Sequence, residues 1–95
     1  MAKLMLSREV LKDFGRLPIR VQKKVFEFVR KFQDDSTQAS IHLESFAEAV
    51  DPKVRSARIG DDYRAVVIAP EQGDNFLLMY VAHHDAAYDW CRNKR

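Results

Sequence analysis

The chain has 95 residues, enough for one hydrophobic core. Apolar residues make up 46%, with three glycines and three prolines, a composition that excludes a disordered or fibrous chain. No apolar run has bilayer length, no signal peptide is recognisable, and Cys91 is the single cysteine, which excludes an internal disulfide and a multi-cysteine metal site. The expected setting is therefore the reducing cytoplasm, away from membranes. The formal net charge of +2 is mild but unevenly spread. Residues 1–35 carry nine basic and five acidic side chains, and Lys53, Arg55, Arg58 and Arg64 gather in residues 53–64. Clustering of this kind makes a local field that the total hides.

Residues 3–6 form a short apolar stretch suited to an edge strand. Ser7 is an expected helix N-cap, and Glu9 suits the positive end of the helix dipole. Val10, Leu11, Phe14 and Leu17 recur at helical spacing, and Gly15 and Pro18 bring that helix to an end. Pro18 suits the first position of a second helix, where its missing N–H is not needed. Val21, Val25, Phe28 and Phe32 then define an apolar stripe, which Phe26 and Val29 widen. Arg20, Lys23, Lys24, Glu27, Arg30 and Lys31 fill the rest of that helix, either as a solvated face or as contacts to a nucleic-acid backbone. The short joint between the two helices predicts an antiparallel helical hairpin.

Residues 34–40 read as a connection, with Ile41, Leu43 and Phe46 as anchors to the core. Asp51 and Pro52 mark a turn. Strands are expected over 53–59 and 63–69, around Gly60-Asp61-Asp62, a turn whose glycine tolerates positive φ. A second turn over 70–75 leads to a strand over 76–82. The last two strands are apolar on both faces, as strands covered on two sides are. Asp85 is the expected cap of a short last helix containing Ala87, Tyr88, Trp90 and Cys91. The predicted fold class is α+β: a short N-terminal strand, a helical hairpin, a three-stranded antiparallel meander and a short C-terminal helix, one domain over 1–95.

Two stretches carry a family resemblance. Residues 55–66 read Arg-Ser-Ala-Arg-Ile-Gly-Asp-Asp-Tyr-Arg-Ala-Val, and residues 80–88 read Tyr-Val-Ala-His-His-Asp-Ala-Ala-Tyr. In this order, behind a helical hairpin, they resemble the RelE/ParE superfamily of small bacterial toxins over nearly the whole chain. Ala82 stands where the family usually has Gly, and His84 where many members have Arg. The His-His-Asp-x-Ala-Tyr-x-Trp form, residues 83–90, is similar to a subgroup in which a RelE-like domain lies in front of a superfamily-1 DNA helicase.

The resemblance implies the toxin component of a type II toxin–antitoxin system, a cognate antitoxin as partner, and no cofactor. RelE-type members cleave messenger RNA on the ribosome; ParE-type members poison DNA gyrase; a non-catalytic interaction module linked to a helicase is the third possibility. The cleavage is attack of a ribose 2′-OH on the neighbouring phosphate. It needs a base, an acid and cations for the growing phosphate charge.

Arginine stays charged and grips phosphate oxygens in pairs. Arg64 is placed by alternation with Val66 and Ile68, on the face away from the hairpin, either as a phosphate contact or in an ion pair with Asp61, Asp62 or the last helix. Arg58 and Arg55 lie on opposite faces of their strand, so at most one joins Arg64, and Arg58 is preferred. His84 takes the place of the family's cation and is the expected acid or base. Tyr88 falls at the family's terminal tyrosine and either meets RNA or packs on the sheet. Lys53, Arg55 and His83 are further expected RNA contacts, with a structural hydrogen bond as the alternative for His83. Adjacent histidines on extended backbone point apart, so no metal site is expected. Cys91 reads as a buried small apolar residue rather than a nucleophile.

Overall fold

A computed structural model describes residues 3–34, 43–45, 51–73 and 75–93. Their elements are β1 (Lys3–Leu6), α1 (Arg8–Phe14), α2 (Ile19–Asp34), β2 (Glu44–Ser45), β3 (Val54–Ile59), β4 (Tyr63–Ile68), β5 (Asn75–His83) and α3 (His84–Asn93). The strands form one sheet in the order β1-β5-β4-β3-β2. β2 through β5 pair antiparallel, whereas β1 lies parallel to β5 with Leu4 opposite Phe76.

The expected α+β order is present. The β3–β4 turn uses Gly60 at φ 65°, a conformation that a side chain disfavours. β4 is the central strand, and Ala65, Val66 and Val67 are fully buried. That burial is two-sided. Ala65 and Val67 belong to a core with Leu4, Val10, Leu78 and the α2 stripe, Val21, Val25, Phe28 and Phe32. Val66 belongs to a second core on the other face, with Val54, Ala87 and Cys91, against which Tyr80 and Trp90 pack. Two helices therefore cover one face of the sheet and α3 covers the other, and near-continuous apolar sequence in β4 follows from it.

Ser7 joins three elements. Its backbone N–H donates to the Leu78 carbonyl at 2.9 Å, and its hydroxyl donates to the Met79 carbonyl at 2.9 Å. The same hydroxyl oxygen accepts from the Val10 N–H at 3.1 Å, capping α1 as expected. Met79 is a bulge: Val66 pairs with Tyr80 and Val67 with Leu78, so the register skips it. The bulge resets the alternation of β5, which lets Leu78 and Val81 face the same core.

Several boundaries and faces differ from expectation. Helix α2 begins at Ile19, and Pro18 sits one position earlier, its carbonyl accepting from the Gln22 N–H at 2.9 Å. Helix α3 begins at His84, so Asp85 lies in its first turn rather than capping it. Leu11 and Phe26 are 63% and 65% exposed, at the margins of stripes centred on Val10 and on Val25 and Phe28. The helices touch where Phe26 meets Phe14 edge-on at 5.3 Å. β2 was not expected; its two residues pair with Ser56 and Arg55. Leu43 packs on the main core, while Ile41 and Phe46 lie outside the described residues. Among the described residues, no helix is long and apolar enough to cross a membrane.

Candidate functional site

The antiparallel register of β3 and β4 sets Arg58 directly opposite Arg64. Directly opposed residues share a face. For Arg64 it is the face of Val66, under α3, as alternation predicts. Ala82 lies opposite Arg64 on the other neighbouring strand, with only a methyl group beside the guanidinium stem. Arg64 is half-buried, and its guanidinium carbon stands 5.6 Å from the centre of the Tyr88 ring. That distance is within cation–π range. Among the described residues no carboxylate pairs with Arg64 or Arg58. Asp61, Asp62 and α3 thus leave both cations available.

The strand-to-helix junction supplies the rest. The His84 N–H donates to the Asp62 carbonyl at 2.8 Å, which ties the start of α3 to the β3–β4 turn. This bond holds α3 so that Tyr88, one turn in, reaches back over Arg64. The His84 ring lies 6.4 Å from the Tyr88 ring, and its Nδ1 is 2.9 Å from Asp85 Oδ1. The His83 ring meets Tyr63 edge-on at 6.0 Å, as expected of residues paired across β4 and β5.

The expectation that His83 and His84 point apart is overturned. Their ring centres are 4.3 Å apart at an interplanar angle of 36°. Alternation holds only while the backbone stays extended, and the chain changes from strand to helix between these two residues. One donor atom from each of His83, His84 and Asp85 falls within 4.8 Å of the others.

Arg58, Arg64, His83, His84 and Tyr88 therefore meet at one end of the sheet. Lys53 and Arg55 do not. Lys53 precedes the other end of β3, about 17 Å away at about 3.4 Å per residue. Its ammonium meets Glu71 at 3.1 Å, and that hydrogen bond, with the charge of Glu71 and Asp51, raises its pKa above the usual value. The Arg55 guanidinium folds back, donating to the Pro52 and Val54 carbonyls at 2.7 and 3.0 Å. Tyr63 and Asp85 were missed as members of the cluster. The Tyr63 position follows from strand pairing, and Asp85 was assigned to capping.

Beside the cluster a groove runs between α2 and the outer end of β3, lined by Lys24, Glu27, Lys31, Arg58 and Gly60. Lys24 also stands 3.9 Å from Glu27, a loose surface pair. Cys91 is fully buried against Val66 and Ala87, and burial pushes its thiol pKa up, with Arg92 opposing weakly. It contributes to the core.

No family model and no curated protein sequence matches the chain. Solved structures do. The RelE of a RelB–RelE antitoxin–toxin complex from Methanococcus jannaschii superposes with a TM-score of 0.70 at 16% identity, covering 90% of this chain and 96% of the other. A YoeB/ParE toxin from Agrobacterium tumefaciens gives 0.68 at 18%, covering 86% and 98%. YafQ from E. coli gives 0.70 at 11%, covering 93% and 99%. The order of elements, the five-stranded sheet and these likenesses agree: the chain has the fold of the RelE/ParE toxins.

Proposed function

We propose that the chain is the toxin component of a toxin–antitoxin pair and that it cleaves messenger RNA on the ribosome. The observation that carries this reading is the succession of Arg58 opposite Arg64, Arg64 over Tyr88 and Tyr88 beside His84, from the ends of two strands and one helix. The fold likeness to toxins solved with RelB and DinJ antitoxins supports a partner of that kind.

The chemistry follows from the geometry. Arg64 and Arg58 grip the scissile phosphate and neutralise the charge that grows on it. His84 Nδ1 stands 2.9 Å from Asp85 Oδ1, and a proton kept on that side leaves Nε2 with a lone pair to take the 2′-OH proton. The freed 2′-oxygen attacks phosphorus, the bond to the 5′-oxygen breaks, and the proton held by His84 passes to the departing oxygen. Tyr88, held against Arg64, presents a hydroxyl to the phosphate and its leaving oxygen. Lys24 and Lys31 beside Arg58 extend the positive surface along the RNA backbone.

The test is 5′-end mapping of a message translated in a reconstituted bacterial system. Ribosome-dependent cuts that vanish with Arg64→Ala, in a variant that stays folded, support the reading. Intact RNA from a folded chain overturns it and favours a binding module. Cleaved DNA–gyrase complexes in its place would point to a gyrase poison.

A further inference from the structure

At the junction of β5 and α3 three potential ligands face one another on the surface. We propose that His83, His84 and Asp85 form a binding site for a divalent transition-metal ion of the Cu2+ class, with water completing the coordination. The donor set is two imidazoles and one carboxylate, which suits the later first-row divalent metals.

Two of the three donors already stand close to the spacing that a shared ion needs. Two donors each about 2.1 Å from an ion stand about 3.0 Å apart at a right angle, and about 4.2 Å apart when opposite. His84 Nδ1 and Asp85 Oδ1 are 2.9 Å apart, which matches a right-angled edge. All three donor atoms lie within 4.8 Å of one another, close to the span of one coordination sphere. A right-angled N,O set is the geometry of tetragonal Cu2+.

The site is also held in place. The Asp62 carbonyl fixes the His84 backbone at 2.8 Å, and the Tyr63 ring rests against His83. Solvent reaches it, since the His84 and Asp85 side chains are 43% and 82% exposed. An ion bound at His84 Nδ1 takes that nitrogen's lone pair, so the proton of the neutral imidazole sits on Nε2. Metal binding here does not depend on RNA cleavage.

The experiment is titration of the tag-free full chain with Cu2+ alone, followed by calorimetry and electron paramagnetic resonance. The expected result is one equivalent bound, with hyperfine splitting from two imidazole nitrogens. His83→Asn, His84→Asn and Asp85→Asn should each weaken binding at least tenfold, with circular dichroism unchanged. His42→Asn, at the remaining histidine of the sequence, should bind as the parent does. Absent binding, or binding as tight as the parent's in His83→Asn or His84→Asn, overturns the proposal, as does loss of binding in His42→Asn alone.

Discussion

Arg64 is the residue on which the proposed chemistry turns. It has no carboxylate partner among the described residues and rests on Tyr88, so truncation removes little that holds the fold. Arg64→Ala should lower the cleavage rate about 10²–10³-fold, the usual cost of losing one transition-state donor, while the thermal midpoint stays close to the parent's. The cleavage assay and a melting curve on the same preparation check both halves. Cys91 makes the opposite kind of prediction. Its thiol is held protonated by burial, so the unfolded chain gives up that proton at lower pH than the folded one. The folded state binds more protons above the ordinary thiol value of 9.0, and stability falls as pH rises past it. Urea melts between neutral and alkaline pH should show a shallower loss in Cys91→Ala than in the parent. A thiol reagent should react with the native chain far more slowly than with the unfolded one.

Elements differ in how openly the sequence declares them. The α2 stripe was legible because all four of Val21, Val25, Phe28 and Phe32 are buried at the spacing a helix demands. The β3–β4 hairpin was legible because Gly60 takes the positive φ its turn requires. Gly60→Ala should therefore cost about 1 kcal/mol, read as a shift in urea midpoint, although nothing lies within 4 Å of the added carbon. The parallel pairing of β1 was not legible, since four residues carry no signal of which strand they will join. The Met79 bulge was hidden for a similar reason: alternation breaks there only because the register skips a residue. Ser7 gave half its role. Its capping could be read locally, but its hydroxyl bond to Met79 spans the chain. Ser7→Ala should lose about 1–2 kcal/mol, more than an exposed cap, because the half-buried bulge carbonyl also loses its donor.

At the scale of the molecule, the sheet is a wall between two cores of unequal size. Phe32 anchors the larger one, with no exposed surface and ring contacts to Phe28 and Phe76 at 5.8 and 5.0 Å. Phe32→Ala should cost about 3–5 kcal/mol, a large part of what a domain this small possesses, and denaturant melts would measure it. The candidate site sits at the rim of this wall, where β3, β4, β5 and α3 end together. Its arginines were legible from alternation and from the resemblance. The nearness of the two histidines was not, because it is made by a change of backbone type between neighbours.

The pairing of β1 with β5 also sets an order in time. A growing chain makes Lys3–Leu6 well before their partners, Asn75–Leu78. Until then Leu4 has no strand beside it, and Ser7 has neither carbonyl to bind. The hairpin of helices and the β3–β4 ribbon can form as they appear, while closing the sheet must wait, at the entropic cost of a long loop. Arg58 and Arg64 meet within that ribbon, whereas His84 and Tyr88 reach them only once β5 has paired with β4. By topology, then, a growing chain cannot complete the site until both β5 and α3 have been made.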